Sequence, residues 1–332
     1  MILIPHSYPD LDMQDHAALK EYFDRAFVGW DHDLDEVLRG EIRKFVSKKE
    51  VVLTPSGSMS LLVALRALGV QAGDSVLIPA INCWSVYNAI TFLGAKPVIC
   101  DVRSPVDLRS CFENIAQKMS PEVKVVVVTH MFGVLIEEET IRRLKKELKL
   151  HVIEDYASSF GALYDNRLPV GRFSDLVIGS FGSTKALTGG MGGFVAGNDI
   201  FLKEGHNGPV KDLISLNCQI SCLNQKLLER QFSRLDKMLE QKKRLKDFYL
   251  KHVKLFGAES DGLYRAITFD DTGKLMGFLN KEGIQLDIRE SAQPNLAQVF
   301  NLDLLNARDF KAYKSLPFHT KLAQEMERKG LL

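Results

Sequence analysis

Two kinds of hydrophobic pattern alternate between residues 50 and 200. Short apolar runs predict strands, and they cover 51–54, 75–79, 97–101, 123–130, 151–155, 175–181 and 193–197. Several of these runs are apolar on both faces, which is typical of strands that are covered by helices on each side. Amphipathic segments such as 58–69 and 137–149 lie between them and predict helices. Strands that alternate with helices predict a mainly parallel α/β sheet with right-handed crossovers.

The pattern changes after about residue 200. Residues 217–253 predict a long helical stretch, and the segments 263–269 and 274–284 predict a small α+β unit at the C-terminus. We therefore expect a large domain over residues 1–235, which includes the N-terminal segment, and a small domain over residues 236–332.

Composition narrows the class of protein. The formal net charge is +1, with 45% hydrophobic and 26% charged residues, so no global field would attract nucleic acid or a membrane. No apolar run approaches the ~20 residues of a membrane span, and the N-terminus lacks the features of a signal peptide. The five cysteines are scattered, and although Cys218 and Cys222 would share a helix face, no second pair completes a zinc site. We expect free thiols, no metal and a cytoplasmic protein.

Candidate chemistry is found where predicted strands end, because ligands of open parallel sheets bind there. Ser56, Gly57 and Ser58 follow the first strand and open a helix, whose free N–H groups attract a phosphate. A serine that only caps the helix explains the same residues equally well. Trp84 follows the second strand and is suited to stacking on a flat ligand, although a lone tryptophan more often belongs to the core.

Three polar residues follow later strands. Asp155 ends an apolar strand, where a carboxylate is costly unless it has a cationic partner or caps a helix. Ser180 ends the next strand and offers a hydroxyl to a phosphate. Lys185 follows it, and a lysine there either forms a Schiff base with a carbonyl or is simply solvated. Together with the residues upstream, these groups match the needs of pyridoxal 5'-phosphate (PLP) for phosphate, ring and aldehyde contacts.

At this point the chain resembles the PLP-dependent sugar aminotransferases of the DegT/DnrJ/StrS type. The resemblance runs from about residue 3 to about residue 240 and extends weakly to "SLPFH" at 315–319. It rests on segments such as "SGSMSLLVALRALGVQAGDSVLIPAINCW", "THMFGV", "VIEDYASSFGALYDNRLPVGRFSDLVIGSFGSTKALTGGMGGFVAG" and "NCQISCLNQKLLERQFSRLD". It implies the fold-type-I transferase fold, with a mainly parallel seven-stranded sheet between helices and a smaller α+β C-terminal domain.

The resemblance also implies roles for individual residues. Lys185 matches the lysine that holds the cofactor as a Schiff base, and Asp155 matches the partner of the pyridine nitrogen. Trp84 falls on the aromatic residue that stacks on the ring. The phosphate-binding positions are Gly57, Ser58, Ser180 and Asn217. Because the family's asparagine reaches the phosphate from the neighbouring subunit, the match of Asn217 implies a homodimer with a shared active site.

The chain departs from the family at three positions. Ser158 stands where a Gln or His usually lies near the ring's 3-hydroxyl group. Met191 replaces an acid before the paired glycines, and Gln219 replaces an arginine. Two further residues are weaker candidates, since His130 at a strand end is equally explained as a structural histidine and Arg289 as a surface ion pair.

We therefore expect an aminotransferase that moves an amino group from an amino acid, glutamate in most of the family, to a keto-sugar that is linked to a nucleotide. Lys185 favours amino transfer, because relatives that dehydrate sugars carry histidine there. Two alternatives stay open. One is another PLP reaction, such as that of a lyase, a decarboxylase or a retro-aldol enzyme. The other is a non-catalytic binding protein that kept the fold.

Overall fold

The computed structural model describes residues 1–9, 11–24, 32–198, 218–258, 265–290, 296 and 313–332. Within these ranges, seven strands form one sheet in the order β2-β8-β7-β6-β5-β3-β4. They are β2 (Glu50–Thr54), β3 (Ser75–Pro79), β4 (Lys96–Cys100), β5 (Val123–Thr129), β6 (His151–Asp155), β7 (Leu176–Ser180) and β8 (Gly193–Gly197). All pairs are parallel except those of β8, which runs antiparallel to both of its neighbours. The predicted mainly parallel sheet of seven strands is confirmed.

Helices cover the sheet and connect its strands. The described helices are α1 (Met13–Asp24), α2 (His32–Arg43), α3 (Gly57–Ala67), α4 (Trp84–Phe92), α5 (Phe112–Ala116), α6 (Glu138–Lys146), α7 (Cys222–Ser233), α8 (Leu235–Leu250), α9 (Gly273–Lys281) and α10 (Thr320–Arg328), with a 3-10 turn at Asp165–Arg167. In the ranges listed above, none of them is long and apolar enough to cross a membrane.

The long helical stretch predicted near residues 217–253 is two helices that meet at Arg234. Arg234 ends α7, and its guanidinium group contacts the carboxylates of Asp12 and Asp15 at the start of α1. The expectation that Cys218 and Cys222 share a helix face is wrong, because α7 begins only at Cys222, where the side chain of Ser221 caps it.

Apolar side chains extend from both faces of the central strands. Val76, Val127 and Ile153 pack under α3 and α4, while Val177 and Phe194 pack on the opposite face against α2 and α7. Burial on both faces explains why the strands read as nearly continuous apolar runs rather than alternating ones. The predicted layering of helix, sheet and helix is therefore present.

The C-terminal part forms a smaller α+β unit, as predicted. Its antiparallel sheet has the order β11-β12-β9 among the described strands, with bounds β9 (Ala266–Thr268), β11 (Arg289–Glu290) and β12 (Lys314–Leu316). The first strand of the chain, β1 (Ile2–Ile4), pairs in parallel with β10 (Ile284–Leu286). The N-terminal segment thus reaches the C-terminal elements, and the domain boundary near residue 235 stays a prediction.

Candidate active site

Four elements bring the predicted residues to the carboxyl edge of the sheet. Strand β6 ends at Asp155, and its neighbour β7 ends at Ser180. Helix α3 begins at Gly57 directly after β2, and α4 begins at Trp84 shortly after β3. Because parallel strands end at the same edge of a sheet, these residues face one crevice.

The start of α3 lies against the end of β7. A Cβ atom on Gly57 would be 2.7 Å from Cβ and 3.1 Å from Oγ of Ser180, so only glycine allows this approach. Ser56 caps the helix by accepting a hydrogen bond from the Met59 N–H group at 3.2 Å, and Ser58 is exposed in the first turn. Two hydroxyl groups, Ser58 and Ser180, therefore accompany the unpaired N–H groups of a helix start, which together suit a phosphate.

The glycine-rich turn after Lys185 packs against this helix start. A Cβ atom on Gly193 would lie 2.5 Å from Oγ of Ser60 in α3, and Gly192 has a φ of +142°. The glycines thus let β8 approach α3. Met191, which replaces the family's usual acid, is 58% exposed. The same turn is held by Asn224 of α7, whose side-chain amide donates a hydrogen bond to the carbonyl of Gly189.

Lys185 and Ser158 lie close together in the crevice. Lys185 Nζ is 3.5 Å from the hydroxyl oxygen of Ser158, and both residues are half-buried. The backbone N–H group of Lys185 donates to the carbonyl of Gly182 at 3.0 Å, which fixes the turn that carries the lysine. Ser158 therefore contacts the amine itself.

Asp155 is buried beside this pair, with 5% of its surface exposed. Burial raises the pKa of its carboxyl group above the usual range, while a hydrogen bond from the Ala157 N–H group and the positive charge of Lys185 oppose that rise. A buried carboxylate gains most from a cation held against it. A pyridinium nitrogen is such a cation.

Trp84 is half-buried at the first turn of α4. Its ring meets that of Tyr87 edge to face, with the centroids 5.8 Å apart, and packs against the apolar cluster between α3, α4 and the sheet. Its stacking role stays a prediction. Asn217, the predicted contact from the neighbouring subunit, lies outside the described residues, and Gln219 is half-buried just before α7.

The two weaker candidates have structural partners. His130 Nδ1 accepts a hydrogen bond from the Ile136 N–H group at 3.1 Å, so Nε2 carries the proton and donates to Glu154 at 2.9 Å. Both side chains of that pair are at most 1% exposed, which makes His130 a structural histidine. The side chain of Arg289 is 66% exposed and lies 3.7 Å from Asp287, as a surface ion pair does.

A cavity beside Lys185 contains residues that the sequence did not single out. Its walls include Tyr8 from the N-terminal segment, Lys242 from α8, Arg265 before β9 and His319 before α10. Tyr8 reaches the other residues of this cavity because β1 pairs with β10 of the C-terminal unit, which no local pattern reveals. The weak family resemblance of "SLPFH" at 315–319 was the one signal available, and it points to His319.

The residues present fit PLP. The helix start with Gly57, Ser58 and Ser180 suits its phosphate, Asp155 suits its ring nitrogen, and Lys185 supplies an amine for its aldehyde. Two observations support this fit. The start of α3 packs so closely against β7 that a Cβ atom on Gly57 would clash with Ser180, and the buried carboxylate of Asp155 lies next to Lys185.

Known proteins are similar to this chain over most of its length. GDP-perosamine synthase of Vibrio cholerae is 27% identical over 258 residues, which cover 74% of this chain and 70% of that protein. The aminotransferase TlmJ of Streptoalloteichus hindustanus shares the fold with a TM-score of 0.82 at 22% identity, over 98% of this chain and 96% of that one. A putative sugar aminotransferase of Streptococcus pneumoniae in its PLP form gives 0.78 at 19% identity, over 98% and 97%.

The model of the DegT/DnrJ/EryC1/StrS aminotransferase family matches residues 14–326. This match confirms the predicted cofactor, because the family is one of PLP-dependent aminotransferases. The predicted fold type is also confirmed, since this chain matches nearly the whole of the two solved structures with TM-scores of 0.82 and 0.78. The chain belongs to the DegT/DnrJ/EryC1/StrS family of PLP-dependent aminotransferases.

Proposed function

We propose that this protein transfers an amino group from an amino acid, glutamate, to a keto-sugar that is linked to a nucleotide. The observation that carries the proposal is the meeting of Lys185 and Asp155 beside a phosphate cradle at one edge of the sheet. The similarity to GDP-perosamine synthase supports a sugar nucleotide as the acceptor.

The cofactor residues divide into three groups. Backbone N–H groups at the start of α3 would hold the phosphate together with the hydroxyls of Ser58 and Ser180. Trp84 would stack on the ring, and Asp155 would balance the positive charge on the ring nitrogen. When bound, PLP supplies an electron sink for the bond electrons of the substrate. Asp155 maintains that sink, because a buried carboxylate beside the ring favours its protonated form.

Lys185 has two tasks in the proposed reaction. Its amine would hold the cofactor through the aldehyde, and the free Nζ would take the proton from the substrate's Cα. The same amine returns a proton when the keto-sugar is aminated. Ser158 lies 3.5 Å from Nζ and is placed to orient the amine between these steps.

We further propose that the active site is shared across a homodimer, with Asn217 reaching the phosphate of the neighbouring subunit. Mixing two inactive variants, Lys185→Ala and Asn217→Ala, tests this proposal. If the site is shared, heterodimers regain activity in one of their two sites, because one site combines both intact residues. A mixture that stays inactive although it exchanges subunits would contradict the shared site.

The predicted cytoplasmic location stays a prediction.

The function is tested by separating the two half-reactions. The purified protein, loaded with PLP, is first treated with glutamate, which should remove the visible absorbance of the cofactor. A panel of keto acids, free keto-sugars and GDP- or dTDP-linked keto-sugars is then added to the aminated form. Apart from the keto acid of glutamate, which reverses the first half-reaction, we expect only the nucleotide-linked sugars to restore the absorbance rapidly. Product formed from one substrate without any keto co-substrate would instead support a lyase or decarboxylase.

A further inference from the structure

Thr129 lies next to Asp155 at the carboxyl edge of the sheet. It ends β5, and the register of the parallel pair β5 and β6 places it opposite Asp155. Val127 and Ile153, two positions earlier on the same strands, pack in the cluster beneath α3 and α4. Because alternate residues of a strand share a face, Thr129 and Asp155 both project toward these helices. Thr129 therefore belongs to the wall that carries the candidate cofactor residues.

A side-chain hydrogen bond joins Thr129 to the segment that precedes α4. Thr129 is 5% exposed, and its hydroxyl oxygen accepts a hydrogen bond from the side-chain N–H of Asn82 at 3.0 Å. The orientation of this amide is fixed, because its carbonyl oxygen accepts the backbone N–H of Cys83 at 2.8 Å. The nitrogen that faces Thr129 can only donate, so the bond runs from Asn82 to Thr129.

The start of α4 is held by Asn82 rather than by its own cap. Cys83 is the N-cap residue of this helix, and within the described part of the chain its side chain makes no capping hydrogen bond. At the start of α3, by contrast, the hydroxyl of Ser56 accepts the N–H of Met59. The amide of Asn82 instead binds the backbone of the N-cap residue itself. The first residue of α4, Trp84, is therefore fixed through Asn82.

This link connects two candidate residues that the sheet alone does not hold together. In the sheet, β5 lies between β3 and β6, so its backbone bonds fix Thr129 relative to Asp155. Helix α4 lies outside the sheet, since residues 80–83 separate it from the end of β3. The bond between Asn82 and Thr129 spans this gap. It thereby ties Trp84 to Asp155 across three neighbouring strands.

We propose that Asn82 and Thr129 are positioning residues for the cofactor ring. A flat ring is stacked on its face but is hydrogen-bonded in its plane, so the two partners must be held at a fixed angle to each other. The Asn82–Thr129 bond sets that angle for Trp84 and Asp155. The inference rests on the roles proposed above for these two residues, and it does not depend on the identity of the amino acceptor.

The test measures PLP titrations of the apoprotein and the visible circular dichroism of the cofactor at saturation. The dichroism per bound cofactor reports how the ring is oriented. Thr129→Val keeps the branched shape of the buried side chain but removes the acceptor, Asn82→Ala removes the donor, and Thr129→Ser retains the hydroxyl. Thr91→Val is the matched control, because Thr91 is exposed on α4 and its hydroxyl donates to carbonyls of its own helix.

We expect Thr129→Val and Asn82→Ala each to raise the apparent Kd for PLP about three- to tenfold, as loss of one side-chain hydrogen bond does. Both should also change the dichroism per bound cofactor. Thr129→Ser and the control should stay within about twofold of the wild-type Kd and keep its dichroism. Because the two residues act through one bond, the double variant should bind PLP within about twofold of the weaker single variant.

Two results would overturn the inference. The first is a Kd and a dichroism in both single variants that match those of Thr91→Val, even if urea unfolding shows a less stable apoprotein, because the bond is then only structural. The second is a double variant whose Kd rises by the product of the single effects. Neither measurement needs an amino donor or acceptor. A wild-type protein that shows the expected pattern but transfers no amine would therefore contradict only the proposed function.

Discussion

A methyl group on Gly57 would lie 2.7 Å from Cβ and 3.1 Å from Oγ of Ser180. The contact with Cβ cannot be relieved by rotating a side chain, since this atom is fixed to the backbone of β7. Overpacking of this kind costs about 1–3 kcal/mol. We expect Gly57→Ala to lower the free energy of unfolding of the apoprotein by that amount. The displaced helix start should also weaken PLP binding at least about tenfold, which corresponds to roughly 1.4 kcal/mol.

Gly40→Ala is the matched control for this variant. Gly40 lies inside α2, and a Cβ atom there would meet nothing within 4 Å. Alanine should therefore stabilise the protein by ~0.5–1 kcal/mol through the conformational entropy of the unfolded chain. PLP affinity should not change.

A double-mutant cycle isolates the contact between Gly57 and Ser180. Ser180→Gly removes the Cβ atom that the new methyl group meets, so the double variant should be more stable than the sum of the single effects by ~1–2 kcal/mol. It should not regain PLP affinity, because the hydroxyl of Ser180 is also lost. Urea unfolding of the four apoproteins and PLP titrations provide both readouts. Additive stability changes within ~0.5 kcal/mol would refute the packing argument.

Three further predictions concern buried groups. Glu154→Ala leaves the Nε2–H group of His130 buried without its acceptor, so urea unfolding should show that the free energy of unfolding falls by at least ~1–3 kcal/mol. The control Glu139→Ala removes an exposed carboxylate and should lower it by no more than ~1 kcal/mol. Equal losses in the two variants would contradict the role of the His130–Glu154 pair. His6, with a pKa lowered by burial from 6.5 to about 4, stays neutral in the fold while the unfolded chain takes up a proton. The free energy of unfolding of the apoprotein should therefore decrease as the pH falls from 6.5 to about 4. In thermal melts over this pH range, His6→Asn should lose less stability than the wild type does. Because burial raises the pKa of Asp155, PLP affinity should fall as acid neutralises this carboxylate, whereas titrations of Asp155→Asn should show weaker binding and a smaller pH dependence.

The sheet, and the edge of it that carries the candidate site, could be predicted from local patterns in the sequence. A strand that is apolar on both faces must be covered twice, so β5, β6 and β7 were recognisable from their residues alone. The ends of those strands then placed Asp155 and Ser180 at one edge. Trp84 likewise follows a predicted strand, and α4 begins there, shortly after β3.

The remaining features depend on contacts between distant parts of the chain. The pairing of β1 with β10 joins residues about 280 positions apart, and no periodicity encodes it. That pairing brings the segment with Tyr8 to the cavity that Lys242 and Arg265 also line. The hydrogen bond between His130 and Glu154 could not be predicted for a similar reason. In the sequence, Glu154 is only the residue before the candidate aspartate, and nothing local links it to His130.

The central claim is that the amine of Lys185 holds the cofactor. Reduction of the PLP-loaded protein with borohydride fixes the cofactor to whichever amine carries it, and peptide mass spectrometry then locates the added mass. We expect the pyridoxyl group on the peptide that contains Lys185, with none on peptides of Lys185→Ala treated in the same way. A modification that is found mainly on another lysine, or that persists unchanged in Lys185→Ala, would contradict the account.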